Sequence, residues 1–252
     1  MKHGDSILQK KVLFEINEDF HQADNVNEAL NTNILVEFLR ACGEKDDEIR
    51  ELASRTLVSI GNTAWGREIL VRQKLLGNIS RMFEDKVVKI RHNAYSALIN
   101  LAEFTFGIES IVYTDILRIL VEKLVEEKED DILCLIMQLL NILLEGEQAT
   151  DLVLSTPVLS RLNGHLASKN WRIRRLAAEN LGSISYNVIG KKSTIEAKSI
   201  PPLCQMLSDE ITECRASALR ALASLAQEKE GKIQIYDLDK LNIIIDLLFD
   251  LD

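Results

Sequence analysis

The side chains best equipped for chemistry in this chain are four histidines, four cysteines and one Gly-Lys-Lys-Ser step. Their spacing argues against a reaction centre. His3, His21, His92 and His165 are scattered, whereas a zinc site needs Cys or His ligands in closely spaced pairs. Cys42, Cys134, Cys204 and Cys214 show no such pairing, so neither a metal centre nor a disulfide framework is expected. They read as small apolar residues in a reducing compartment. Gly190-Lys191-Lys192-Ser193 ends like a phosphate-binding loop but lacks that loop's upstream glycine and preceding strand. Nothing marks a nucleophile in a strained turn. The chain is expected to be no enzyme and to hold no cofactor and no metal.

What recurs instead is a helical register. Ile49, Ile90, Ile132, Ile173 and Cys214 follow one another at 41, 42, 41 and 41 residues. Leu57, Leu98, Leu140, Leu181 and Leu222 keep step, as do Ile60, Leu101, Leu143, Ile184 and Leu225. Ala53, Ala94, Ala177 and Ala218 place a small residue where helices approach, and Gly66, Gly107, Gly190 and Gly231 read as helix ends. A second, independent row runs Phe38, Ile79, Leu120, Leu162, Leu203 and Ile244. A fixed period of about forty residues with helical content is the signature of an armadillo or HEAT solenoid. The expected fold is all-α: a right-handed α-solenoid of about six repeats, incomplete at both ends. It is read as one run over 1–252, with repeat boundaries near 24, 66, 107, 149, 190 and 231. Long helices are expected over Asp5–Asp19, Glu48–Ile60, Val88–Phe104 and Ile132–Leu144, with polar chain from about 20 to Asn33 and a short helix over Ile34–Ala41. Pairs six apart, Asp85/Arg91 and Asp209/Arg215, are expected to tie neighbouring repeats together.

The positions that could bind a partner follow from the same register. Side chains two before and two after the central leucine share a face with the one six before it, because they lie four apart. That face is Glu51, Arg55, Ser59; His92, Ser96, Asn100; Cys134, Gln138, Ile142; Arg175, Glu179, Ser183; and Ala216, Arg220, Ser224. Arg175 and Arg220, with Arg174 beside them, suggest a basic groove for an acidic segment; the alternative is that they pair with Glu179 and other acids of the same surface. Nuclear-import adaptors of the armadillo family carry tryptophan and asparagine ladders here, and only Asn100 matches. The helix ILCLIMQLLNILL (132–144) is apolar nearly all round. Such a helix should be covered on every side, either by a thicker core or by a partner seated on Cys134, Gln138 and Ile142. Glu126 to Asp131 form an acidic loop before it. Leu241, Ile244 and Leu248 belong to a last repeat whose long helix is missing, and an end-on contact with another protein would supply the cover they lack.

Composition sets the outer bounds. The apolar fraction of 46% suits a continuous core, and 3 prolines and 11 glycines leave little for long loops. Pro157, Pro201 and Pro202 fall where helices should start, which is where proline is tolerated. A net charge of −9 and a pI near 5.1 disfavour nucleic acid and anionic membrane as bulk-charge partners. The start, MKHGDSILQKK, lacks the apolar run of a signal peptide, and no segment reaches the roughly 18 apolar residues of a membrane span. A soluble, intracellular protein is expected.

One stretch is more particular than the register. From Glu145 to Asp209 it reads EGEQATDLVL, LASKNWRIRRLAAENLGSIS, GKKS and IPPLCQMLSD. With the acidic loop at Glu126–Asp131, it resembles the radial spoke head protein 14 homologue family, armadillo-repeat proteins of motile cilia and flagella. The likeness extends more weakly from about Leu8 to Leu248, and the chain is shorter at its end than that family. The resemblance implies a structural subunit of the radial spoke, the axonemal complex linking outer doublets to the central pair, in a hetero-oligomeric assembly with other spoke subunits. It brings no catalytic residues. The other reading the residues support is a soluble armadillo peptide-binding adaptor in transport or signalling.

Overall fold

The computed structural model describes residues 3–32, 34–72, 75–146 and 148–247, and every regular element among them is a helix. A long helix, α1 (His3–Asp19), comes first. Groups of two short helices and one long helix follow: α2 (Ala23–Leu30), α3 (Ile34–Ala41), α4 (Asp47–Gly61); α5 (Ala64–Arg72), α6 (Leu76–Arg81), α7 (Val88–Leu101); α8 (Thr105–Val112), α9 (Ile116–Glu126), α10 (Asp130–Leu143); α11 (Ala149–Leu154), α12 (Val158–His165), α13 (Trp171–Ile184); α14 (Val188–Glu196), α15 (Ile200–Met206), α16 (Thr212–Leu225). Two short helices, α17 (Lys229–Asp237) and α18 (Leu241–Leu247), come last. This is an α-solenoid repeat fold of the armadillo/HEAT kind.

The chain divides into two compact units, Met1–Ile116 and Leu117–Asp252, with the boundary at the first residue of α9. In the first unit α1 packs on α4 and α4 on α7; in the second α10 packs on α13 and α13 on α16. The Ile, Ala and Leu rows of the register are the core. In α4, Ile49, Ala53, Leu57 and Ile60 are at most 3% exposed, and Ile173, Ala177, Leu181 and Ile184 of α13 match them. Each repeat thus buries its apolar stripe against its neighbours, which is how a solenoid holds together.

Starts are set by familiar signals. Asp46 caps α4 by accepting from the Glu48 and Ile49 N–H groups, and Asn170 caps α13 through Arg172 N–H. Pro157 is the cap residue of α12, and Pro201 and Pro202 open α15. The polar stretch after α1 is itself helical, as α2, whose Val26 and Leu30 are buried.

The four glycines do not end the long helices; each is the third residue of the next short one. The reason is a close approach. A Cβ on Gly66, Gly107, Gly190 or Gly231 would stand 2.0, 1.9, 1.7 or 2.2 Å from the carbonyl oxygen of Ile60, Leu101, Ile184 or Leu225. The short helix lands on the last turn of the long one, always six residues on, and no side chain fits. For the same reason α7 stops at Leu101 rather than Phe104: Phe104 turns extended and caps α8, which brings Gly107 onto Leu101. Where Ala149 replaces the glycine, α11 begins only at Ala149, and its methyl is fully buried.

The Asp/Arg pairs also take a different form. Arg91 and Arg215 do reach back six residues, but to the backbone oxygens of Asp85 and Asp209, at 2.9 and 3.1 Å. The carboxylates belong to the arginines of the preceding long helices. Arg50 forks onto Asp85 at 2.7 and 3.1 Å, and Arg174 onto Asp209 at 2.7 and 2.8 Å. Between them the row breaks: Leu133 stands in the arginine's place, and Ser168 stands where its aspartate would be.

Leu133 belongs to α10, the helix apolar on nearly every side. Ile132, Leu133, Ile136, Met137, Leu139, Leu140 and Leu143 are all buried, and only Gln138 of its central turns is exposed. The thicker local core therefore covers most of this helix, leaving Cys134 and Ile142 half-buried.

Candidate functional site

In the second unit the long helices α10, α13 and α16 lie side by side, and a hollow of about 870 Å³ runs across them. Its floor exists because the crossing residues are small: Ala178 and Gly182 on α13 meet Ser217 and Ala221 on α16, with a Cβ on Gly182 only 3.6 Å from the Ala221 Cα. Inter-helix hydrogen bonds fix the walls. Ser183 Oγ donates to Asn141 Oδ1 at 2.8 Å, Ser224 Oγ to the Ser185 carbonyl at 2.6 Å, and the buried Asn180 amide to the Met137 carbonyl at 2.9 Å. Glu145, Tyr186 and Gln227 extend the lining beyond the helix ends, and Tyr186 is 86% exposed.

One carboxylate organises the charge. Glu179 Oε1 accepts from Arg175 at 2.8 Å and from Ser217 Oγ at 3.2 Å, and the Arg220 guanidinium stands 3.9 Å away. Arg174 is not in the hollow. It is turned a quarter of the way round the helix and saturated by Asp209 and the carbonyls of Ser168 and Lys169. Of the two alternatives for Arg174, Arg175 and Arg220, the geometry is that of pairing with acids: Asp209 takes up Arg174 and Glu179 takes up Arg175, with Arg220 3.9 Å from the same carboxylate. The lining carries two carboxylates, Glu145 and Glu179, against Arg220.

Of the residues singled out in the sequence, Glu179, Ser183, Arg220 and Ser224 come together here. Cys134, Gln138 and Ile142 do not; α10 presents Asn141, Leu144 and Glu145 instead. The register on α10 is displaced by one position because the row after the central leucine is the one that meets α13, as the Asn141–Ser183 bond shows. In the first unit Asn100 is committed internally, donating to Asn62 Oδ1 at 2.6 Å. Tyr186, Ser217 and Gln227 were not foreseen; Tyr186 had one signal, a large aromatic set between a helix end and the capping Asn187.

A second hollow, of about 520 Å³, lies over the last described helices. Leu241 and Ile244 line it, with Leu219 and Ala223 of α16 and Ile233 and Tyr236 of α17. Leu248 lies outside the described residues. Among the described residues no three His, Cys, Asp or Glu side chains are grouped so as to hold a metal, and no helix is long and apolar enough to cross a membrane.

The HEAT repeat family matches residues 200–228, which hold α15 and α16. The fold is similar to an engineered protein of the Northeast Structural Genomics Consortium, with a TM-score of 0.80 at 22% identity over 88% of this chain and 93% of that one. A second engineered protein gives 0.88 at 19% identity, over 100% of this chain and 62% of that one. A designed armadillo repeat protein in complex with the peptide (KR)4 gives 0.75 at 16% identity, over 86% and 91%. At these identities the likeness is one of fold.

Proposed function

We propose that this chain is a non-enzymatic, protein-binding repeat scaffold and, more finely, a structural subunit of the axonemal radial spoke in motile cilia and flagella. The observation that carries the first part is the hollow across α10, α13 and α16. It is open, floored by small residues and walled by amide, hydroxyl and charged groups held in place by inter-helix bonds. Such a surface takes a polypeptide segment: backbone groups meet the amides and hydroxyls, and side chains meet Tyr186, Glu145 and Arg220. The finer part is supported by the stretch from Glu145 to Asp209, whose Glu145, Glu179, Ser183 and Tyr186 line that hollow. Neighbouring spoke subunits are then the partners, the axoneme is the location, and rigid presentation of a fixed surface is the mechanism.

A soluble peptide-binding adaptor is the second reading, favoured by the openness of the groove. The two part on one experiment. A tagged copy is expressed in ciliated cells, and isolated cilia are extracted with detergent and then with graded salt. Retention in the detergent-insoluble axoneme, with release only by strong chaotropic salt alongside spoke subunits, is the expected result. Recovery in the detergent-soluble fraction or the cell body would sink the spoke assignment and leave the adaptor.

A further inference from the structure

Arg50, Lys123 and Lys191 are the buried cations among the described residues, at 9%, 9% and 8% exposure. Two of them have a carboxylate. Arg50 meets Asp85 at 2.7 Å and Lys123 meets Glu126 at 2.9 Å. Lys191, on α14, pairs with no carboxylate among those residues; its ammonium donates to the amide oxygen of Gln227 at 2.6 Å. A buried charge without an opposite charge is costly, because a neutral acceptor returns only part of the hydration it has lost.

The repeat register shows what stands in the missing partner's place. Lys191 follows Gly190, the glycine that lands on the last turn of α13, and Arg67 follows Gly66, which lands in the same way on α4. Each cation reaches 36 residues on, to the residue two past the end of the next long helix. Arg67 finds Glu103 there, with Nη1 3.0 Å from Oε2, whereas Lys191 finds Gln227. Glu103, Glu145, Tyr186 and Gln227 form one row, at steps of 42, 41 and 41 residues. The carboxylate of the first unit's pair is thus an amide in the second. That amide is exposed and lines the hollow across α10, α13 and α16, with the lysine buried beneath it.

We propose that the segment bound in this hollow is acidic, and that one of its carboxylates takes over Lys191 the place that Glu103 holds over Arg67. This rests on the reading of the hollow as a polypeptide-binding surface. Gln227 gives up its contact with the ammonium, and its own NH2 group donates to the incoming carboxylate. The charge on this side of the hollow agrees: Arg175 and Arg220 share the carboxylate of Glu179, and Lys191 adds a third cation, in a chain whose net charge is −9. Glu145 marks the other end, beside α10, and repels a second carboxylate there. The acidic residue therefore enters over α16, and the rest of the segment runs towards α10.

The test is fluorescence anisotropy of the whole chain at low salt, with three labelled peptides of one length, (GSE)4, (GSQ)4 and (GSK)4, beside urea unfolding of each variant. The parent should bind (GSE)4 about tenfold tighter than (GSQ)4, the ratio expected for one hydrogen-bonded charge. Gln227→Glu supplies the counter-charge from within the chain. It should abolish that ratio, leave (GSQ)4 binding unchanged and raise the urea midpoint. Lys191→Met should abolish the ratio as well, with circular dichroism confirming its fold; Gln227→Glu, at an exposed site, decides the matter if that variant does not fold. A parent that binds (GSE)4 and (GSQ)4 equally would overturn the acidic segment and leave the hollow as a peptide site. A parent that binds none of the three would overturn both. A ratio that survives Gln227→Glu, or a Gln227→Glu variant no more stable than the parent, would show that Lys191 lacks no counter-charge and overturn the proposal.

Discussion

Arg174 grips Asp209, 35 positions further along the chain, with both limbs of its guanidinium: Nε to Oδ2 at 2.7 Å and Nη2 to Oδ1 at 2.8 Å. Both side chains are largely shielded, at 12% and 7% exposure, and the aspartate also accepts the Ile211 N–H. Removing one partner strands the other. Arg174→Ala or Asp209→Ala should therefore destabilise the second unit by about 3–5 kcal/mol, the usual penalty for breaking a shielded pair. The double variant Arg174→Leu, Asp209→Ser imitates what the sequence already does at Leu133 and Ser168, and should recover much of that loss in urea unfolding. A double variant no better than either single one would show that the apolar solution does not fit here.

The same pair sets an acid limit. Arg174 first of all, with the Ile211 N–H, holds the Asp209 carboxyl below the ordinary carboxylate range. For Asp85, burial pushes upward, but the Arg50 guanidinium and the Val87 N–H together prevail and hold it low. A carboxyl whose folded pKa is depressed stabilises fully above its unfolded value and loses that contribution as pH falls through the folded one. The stability gap between the parent and Asp209→Asn should thus be constant near neutrality and shrink below about pH 4, where a free aspartate titrates. A gap that persists unchanged in strong acid would mean the pair contributes through packing rather than charge.

Gly190 and Gly164 make a matched comparison within the second unit. A Cβ at Gly190 would fall 1.7 Å from the Ile184 carbonyl oxygen, while one at Gly164 meets nothing within 4 Å. Gly190→Ala should force α14 off the end of α13 and cost at least about 2 kcal/mol, in the range of overpacked sites. Gly164→Ala should be neutral or gain about 0.4–1 kcal/mol by restricting the unfolded chain. Thermal melts of the two variants decide it, and equal effects would refute the close-approach account.

Much of this was legible in the sequence, for a plain reason. The core rows are dictated by helix geometry, so Ile49, Leu57 and their counterparts announce the period without help from the rest of the fold. The site was harder. Arg174 and Arg175 are neighbours in sequence but about 100° apart around a helix, so one meets Asp209 and the other Glu179. The arginine that holds the Asp85 carboxylate is on another helix, 35 residues away, while the one six residues on reaches the Asp85 backbone oxygen. The hollow depends on which rows of adjacent helices touch, and that crossing brings in Asn141 and leaves out Ile142.

The thiols offer a check on packing. Burial pushes Cys204 up to about 11, and burial with the nearby Asp85 charge pushes Cys42 up to about 12. Cys134 is also raised, mainly by burial, but remains half open to solvent. At pH 8 the Cys204 thiolate is about one part in a thousand, and only the thiolate reacts. In the folded protein Cys134 should label first with a disulfide reagent, and Cys204 only on unfolding. Rapid labelling of Cys204 would show that α15 opens readily from α16.

The charge of the groove turns on Glu179, because a single oxygen of it serves Arg175, Ser217 and Arg220. Replacing it with glutamine keeps the shape and hydrogen-bonding capacity but leaves two guanidinium groups without their carboxylate. Glu179→Gln should then gain affinity for an acidic peptide, by about two- to fivefold if each partly exposed charge is worth about 0.5–1 kcal/mol. Arg220→Glu should shift preference the other way, towards a basic peptide such as (KR)4. Both shifts should fade as salt rises, since partly exposed charges are screened within about 10 Å at 0.1 M. Fluorescence anisotropy with labelled acidic and basic peptides reads both directions. If neither substitution moves either affinity, peptides do not enter between α13 and α16, and the binding surface lies elsewhere on the chain.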